Sequence, residues 1–430
     1  MRVLLLGASG LIGSAVAARL ARDGHWVIGA ARSVDPAARR VPVAEWRTFD
    51  LREKVRPEDW LSVVEGVEAV VNCAGALQAS LRDSPWKVHR DAPAALWSAC
   101  EQAGVRRVIH LSAMGVDRGG ITDFSRSKGA GDAALAATGL DWVILRPSVV
   151  VGRAAYGGSA LFRGLAALPY QFRVPDTGPV DLIQLDDVAE TVALMLQPDA
   201  PARVALELAG PDRLEFGEVV AAYRRWLGWR PAREVGLPSF LLALGWRLGD
   251  LAAWFGWRPP IRSTARREIV RGAIGDNREW TRLTGIRPQS LADALAAHPA
   301  SVQERWFARL YLLKPVAIGT FALFWLVTGI VSLTAGWQHA VDVMRLTPAA
   351  DLAEAAVLGG ALVDLIVGVM ILVRGTAKAG LVAALGVSLL YIVLGTFLLP
   401  ALWADPLGPM TKIWPILALN LLCLAILDER

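Results

Sequence analysis

The sequence predicts two architectures in series: an α/β doubly wound parallel sheet with a small substrate lobe, then an all-α four-helix transmembrane domain. Three observations carry this. A short apolar run, Val3 to Leu6, leads into Gly7-Ala8-Ser9-Gly10-Leu11-Ile12-Gly13 and a stretch of helical spacing, Leu11 to Leu20. Short apolar runs and helical patterns then alternate, the order that builds a parallel sheet covered on both faces. From Pro315 onward charges almost vanish over long stretches. At 430 residues the chain is too long for one compact domain. Its parts are expected at residues 1–209, 210–304 and 305–430.

Val3 to Leu6 reads as a buried first strand. Asp23-Gly24 turns the chain into a second, His25 to Ala30, completing a βαβ unit. Glu45 to Phe49 gives a third strand ending at Asp50. A fourth, Ala69 to Asn72, ends in the turn Asn72-Cys73-Ala74-Gly75. Ser84-Pro85 starts the next helix and Gly104 stops it. Arg107 to Ser112 is the fifth strand, and the sixth, Trp142 to Leu145, leads into Arg146-Pro147-Ser148. A ligand of such a sheet lies across the C-terminal ends of the strands.

The first turn carries chemistry. Gly7, Gly10 and Gly13, with Ser9, Leu11 and Ile12 between and beside them, allow a tight turn and a close backbone approach to a pyrophosphate at a helix N-terminus. This is a Rossmann dinucleotide site. Where an NAD site places a carboxylate on the ribose hydroxyls, the chain has Ala31-Arg32-Ser33. Arg32 suits a 2′-phosphate, so NADP(H) is expected ahead of NAD(H), with Asp35 near enough to keep NAD(H) open.

Taken together, Gly7, Gly10, Gly13, Arg32, Asp50, the Asn72 to Gly75 turn, His110-Leu111-Ser112-Ala113, Gly139 to Ser148 and Leu185-Asp186-Asp187-Val188-Ala189 resemble the extended or atypical short-chain dehydrogenase/reductase superfamily. The nearest branch is that of the NADPH-binding accessory subunit of respiratory complex I. The resemblance covers about residues 1–300. It implies that Asp50 contacts the adenine, that Asn72, Cys73, Ala74 and Gly75 line the ribose side, and that Pro147 flanks the cofactor. It also implies that Ser112 polarises the substrate and Lys128 holds the nicotinamide ribose. The family's Tyr-x-x-x-Lys pair is broken, because the tyrosine position holds Phe124.

Phenylalanine donates no proton, and a positioned general acid is worth about 10²–10⁴ in rate. Three readings stay open. One is an NADPH-dependent oxidoreductase acting on a lipophilic acceptor such as a quinone, which needs little acid help or takes its proton from water or Tyr156. Another is a cofactor-binding protein without catalysis, serving assembly. The last is a redox sensor. Gly129 and Gly131, in the same helix, imply close packing against a neighbour or the cofactor.

In the middle segment Ala209-Gly210-Pro211-Asp212 is a turn and Phe216 to Trp226 an amphipathic helix. Phe240 to Trp257 is rich in tryptophan and leucine. Its few basic residues favour a buried lobe helix over one resting on the bilayer. Pro315 to Gly336, Ala355 to Val373 and Ala379 to Ala404 each approach or exceed the ~20 residues that cross a ~30 Å hydrocarbon core. Ile413 to Leu427 is shorter, and Lys412 can snorkel to extend it. Arg305, Arg309, Lys314, Arg374, Lys378 and Arg430 fall on one side, against Arg345 and Lys412 on the other. Both termini and the nucleotide domain are therefore expected in the cytoplasm of a multi-pass membrane protein. Trp337 and His339 mark the far interface.

The residues after Pro315 resemble the DoxX-like membrane family, four-helix proteins linked to quinone-associated electron transfer. Asp364, between Gly360 and Gly368 on one helical face, is expected to face the bundle interior, bonded to Tyr391, Thr328 or Asn420. It reads equally as a proton or quinone-headgroup site and as structural glue. No signal peptide is expected, and Cys73, Cys100 and Cys423 lack metal or disulfide spacing. A net charge of +5 suits an anionic membrane face and is too mild for a nucleic-acid partner.

Overall fold

Runs such as Val3 to Leu6 are apolar at every position because both faces of the strand are covered. In the computed structural model, which describes residues 1–32, 34, 38, 40–75 and 84–427, alternate residues of the central strands enter different cores. Val3, Leu5, Val71, Ile109 and Val143 pack on one face of the sheet. Leu4, Leu6, Val70, Val108 and Ile144 pack on the other. Ser33, Asp35 and Arg430 lie outside the described residues.

The strands of the main sheet are β1 (Arg2–Leu6), β2 (Trp26–Ala31), β3 (Glu45–Thr48), β4 (Ala69–Asn72), β5 (Arg107–Leu111) and β6 (Asp141–Pro147), and a seventh, Val204–Leu208, lies beside β6. All seven are parallel, in the order seventh, β6, β5, β4, β1, β2, β3. The order reverses at β1, which lies between β2 and β4, so the crevice above β1 and β4 is the ligand position of this architecture. The register aligns the strand ends there. Leu6 lies opposite Ala30 and Asn72, and Asn72 opposite His110.

Val204–Leu208 was not expected as a strand. It is short and interrupted by Glu207, which departs from a continuous apolar run because it bonds the Asp276 amide and pairs with Arg118. β3 also stops one residue short of the expected Phe49, whose ring packs edge-on against Trp60. The helix Phe216–Trp226 forms as expected, burying Val219, Val220 and Tyr223 against Phe162.

The backbone divides into two compact units, Met1–Asp250 with Pro259–Ala308, and Leu251–Arg258 with Arg309–Arg430. Among the described residues three helices are long and apolar enough to cross a membrane: Val302–Leu333, Ala350–Leu372 and Ala377–Leu398. The expected fourth crossing, Ile413–Leu427, has 15 residues and so spans about 22 Å, short of a hydrocarbon core. The first long helix starts at Val302, well before the expected Pro315, because charged residues end an apolar run without ending a helix. Ile318, Phe321, Trp325, Val367, Ile371, Leu381 and Cys423 form the interior, while Leu323, Ile330, Ile366, Val393 and Leu421 point outward and exposed. A bundle apolar on both its inner and outer surfaces is built for lipid.

Asp364 is buried there and accepts from Tyr391 Oη at 3.0 Å. Of the other expected partners, Thr328 bonds Phe324 O and Asn420 bonds Leu381 O. A side chain on Gly368 would lie 2.7 Å from Leu326, so glycine is what lets that neighbouring helix approach.

Gly129 and Gly131 have the same kind of cause in the first unit. A Cβ on Gly131 would lie 2.1 Å from the His89 carbonyl, and one on Gly129 2.8 Å from that of Val116. Both therefore serve packing against neighbouring backbone. Gly131→Ala is expected to destabilise the first unit by about 1–3 kcal/mol, the usual range for overpacking, and to lower its thermal midpoint. Gly158→Ala, which meets open space, should leave the midpoint unchanged.

Candidate functional site

The site begins at the turn after β1. Gly7 has φ +71°, a conformation open to glycine, and its carbonyl accepts from Gly10 N at 2.9 Å. Gly10 caps the helix Leu11–Arg22 with no side chain occupying its first amides, and Leu11 and Ile12 form its half-buried first turn. Ser9 is exposed at the apex. A Cβ on Gly13 would lie 2.1 Å from Gly7 O, and one on Gly7 2.9 Å from Ala74 N. The two turns, after β1 and after β4, thus touch through bare backbone. They leave a cradle of amides at a helix N-terminus, which fits a pyrophosphate.

The turn after β4 is held by Asn72, whose Oδ1 accepts from Ala74 N at 3.0 Å and whose Nδ2 lies 3.2 Å from His110 Nδ1. Burial pushes the Cys73 thiol up to about 12, so Cys73 lines this turn as a neutral thiol. Gly75 is where the two turns meet the chemistry. A Cβ placed there would be 3.6 Å from Lys128 Nζ and 3.7 Å from His89 Nε2.

Lys128 lies on the helix Asp123–Ala136, started by Thr122, which accepts from Ser125 N at 3.1 Å. It is buried and donates to Leu111 O at 2.6 Å. Burial pulls its ammonium down to about 8, with Asp132 and Cys73 opposing the shift. Phe124, Lys128 and Asp132 share one face at i, i+4 and i+8. Burial raises the Asp132 carboxyl above the usual range, and its partner is Arg146 Nε at 3.0 Å. Ser112 Oγ is buried beside the Asp132 carboxyl, which it helps hold down against burial, and meets no partner in good hydrogen-bond geometry among the described residues, so it is placed to turn to a ligand.

His89 was not anticipated in the site. It lies in a π-helical turn, Lys87–Asp91, its Nδ1 2.8 Å from Ser127 Oγ and its ring edge-on to Phe124 at 5.6 Å. Burial, with help from Lys128 and His110, lowers its pKa to about 2, so the imidazole is neutral. His110, similarly, is held well below its ordinary value by burial. Asp132 was legible as the next residue on the Phe124–Lys128 face. His89 was not, because a π turn breaks the 3.6-residue period that sequence reading follows.

The remaining expected residues are placed as follows. Pro147 ends β6 and accepts from Met114 N at 3.0 Å. Arg32 is exposed just after β2 and helps hold the Asp50 carboxyl below its usual range, after the larger effect of Arg52. Arg52 was missing from the sequence reading: its guanidinium grips Asp50, with Nε at 2.8 Å from Oδ1. Tyr156 is exposed before the helix Gly157–Ala166, and among the described residues no hydrogen bond, ion pair or ring contact joins it to Ser112 or Lys128.

Comparisons agree with this fold. Residues 7–197 match the NAD(P)H-binding family model and residues 322–421 the DoxX-like family. A ceramide reductase of Caulobacter vibrioides is 26% identical over 242 residues, covering 55% of this chain and 74% of that protein. An uncharacterised protein of Mycobacterium tuberculosis is 27% identical over 243 residues, 55% of this chain; the match spans only 24% of the relative's length. Among solved structures, MoeE5 in complex with UDP-glucuronic acid and NAD has a TM-score of 0.52 at 20% identity, covering 69% of this chain and 97% of that one. WbmG of Bordetella bronchiseptica in complex with NAD has a TM-score of 0.54 at 17% identity, covering 72% and 96%. The chain therefore joins an NAD(P)-binding Rossmann domain to a C-terminal DoxX-like membrane domain.

Two outcomes follow from the geometry. Gly13→Val should weaken binding of the reduced nicotinamide dinucleotide, NADH or NADPH, by more than about tenfold, roughly 1.4 kcal/mol, in a fluorescence titration of a protein whose far-ultraviolet dichroism is unchanged. Burial places the folded pKa of Lys128 at about 8, below its ordinary 10.5, so between these values the unfolded chain binds more protons. This group's contribution to stability therefore rises with pH across that window. Unfolding midpoints of the wild type relative to Lys128→Met should accordingly shift in the wild type's favour from pH 8 to 10.5.

Proposed function

We propose that the protein is a membrane-anchored, NADPH-dependent oxidoreductase that reduces a lipophilic acceptor such as a quinone. One observation carries this reading: the buried Ser112 hydroxyl and the buried Lys128 ammonium lie at the switch point of a dinucleotide-binding sheet, in a chain that also carries an apolar helical bundle. The glycine turn holds the pyrophosphate, and Arg32, at the end of β2, favours the 2′-phosphate of NADP(H) over NAD(H). Asp50 borders the adenine side. Asn72, Cys73, Ala74, Gly75 and Pro147 line the ribose and nicotinamide side. A bound nicotinamide supplies a hydride. Lys128 orients the ribose, and Ser112 hydrogen-bonds the acceptor oxygen.

Phe124 favours one class of acceptor over another. A ketone reduced to an alcohol needs a proton at its oxygen as the hydride arrives, and Phe124 has none to give. A quinone spreads the added charge over a conjugated ring and takes its proton from water afterwards: one hydride and one proton yield the quinol. The Caulobacter relative, named for reduction of a ceramide, also supports a lipid-like acceptor. Arginine and lysine on one side of the apolar helices support a cytoplasmic sheet domain, where NADPH is available. The second reading, a non-catalytic NADP(H)-binding membrane protein for redox sensing or assembly, is favoured by Phe124 itself.

The test is NADPH consumption by detergent-purified protein with quinones and a lipid extract. Turnover in the wild type is expected, falling by about 10²-fold or more in Lys128→Met, within the range for positioned catalytic groups. Stable NADPH binding without turnover would establish the second reading, and turnover confined to Phe124→Tyr would mark a site that has lost its acid. Arg32→Ala should weaken NADPH binding by about tenfold, the effect of one charge-assisted contact, and leave NADH unchanged.

A further inference from the structure

The helix Ser239–Trp254 leaves most of its large apolar side chains exposed, contrary to the expectation of a buried lobe helix. Phe240, Leu241, Leu244, Leu248, Leu251 and Trp254 follow helical spacing, and all are exposed, Phe240 by 67% and Trp254 by 77%. Most of this stripe lies on one face, while Gly249 and Ala253 are buried on the other. Six large apolar side chains in a row exceed what a water-facing helix carries by chance.

What covers the stripe follows from where the helix ends. Phe255 O accepts from Arg374 N at 2.9 Å, Trp257 Nε1 donates to Leu372 O at 2.7 Å, and the Arg374 guanidinium sits over the Trp257 ring at 5.5 Å. Leu372 is the last residue of one membrane-length helix, and Ala377 begins the next. The chain leaving the exposed helix is therefore bonded to the end of a span, the level of the lipid headgroups, where tryptophan and arginine are favoured.

Charge gives the same answer. Residues 239–271 hold six arginines against Asp250 and Glu268. Asp250, on the helix, accepts from Arg262 Nε at 3.2 Å, which ties the basic segment to the helix; Arg258, Arg266 and Arg267 are exposed along it. The basic content that the helix lacks is thus supplied by the segment after it.

We propose that the helix Ser239–Trp254 lies in the interface of an anionic phospholipid bilayer, with Phe240, Leu244, Leu248 and Leu251 at the acyl boundary and Arg258, Arg266 and Arg267 at the headgroups. This assignment is independent of any reaction at the nucleotide site.

The test uses the full chain in nanodiscs of phosphatidylcholine and phosphatidylglycerol. Spin labels at Leu244→Cys and Leu248→Cys should show a severalfold higher ratio of oxygen to nickel-chelate accessibility than a label at the exposed Arg126→Cys. The ratio should fall when Arg258, Arg266 and Arg267 are all changed to Gln. A ratio equal to that at position 126 would put the stripe in water, and low accessibility to both reagents would mean a protein cover, such as a second copy; either overturns the proposal. Photoactivatable phospholipid on the unmodified chain provides a check without substitutions. Adducts are expected within residues 240–254 as well as 316–331, and adducts confined to the latter would also overturn it.

Discussion

The structure depends on one close approach: the turn after β1 rests on the turn after β4 with no side chain between them. Gly13 against the Gly7 carbonyl, and Gly7 against Ala74, leave no room for a Cβ. This contact closes the sheet's switch point and points a helix N-terminus into it. It also brings Gly75 under Lys128 and His89, joining the part of the site that holds a cofactor to the part that bears its chemistry. A methyl group at Gly7 or Gly13 would separate them.

Around that contact the chain accepts an electrostatic cost. Lys128 is buried with one carbonyl partner at hydrogen-bond distance and a carboxylate further along its own helix. Two neutral histidines and a buried serine hydroxyl stand beside it. A core filled with leucine would be more stable, and such local conflicts are characteristic of functional sites. The packing that sustains this one is severe, with the π turn carrying His89 pressed onto Gly131.

The second unit follows different rules because its solvent differs. Apolar side chains line its inside and outside alike, and its helices meet through glycine, as at Gly368 against Leu326 and Gly380 against Ile371. Asp364 is tolerated because Tyr391 satisfies one carboxylate oxygen. That bond explains its burial equally well whether its role is structural or functional.

Much of this was legible in the residues alone. Four-residue apolar runs alternating with helical spacing specify a parallel sheet, because only a strand covered on both faces lacks polar alternation. The glycine turn, the Phe124 departure and the apolar character of the C-terminal helices are equally local, since each depends on residue type at short spacing. The tertiary structure alone decided what rests on distance between elements. His89 reaches the site through a π turn that no period announces. Arg52 takes Asp50, and Tyr391 is singled out from the candidate partners of Asp364. The stripe from Phe240 to Trp254 is exposed among the described residues, and a sequence shows which side chains are apolar without showing which of them find a neighbour.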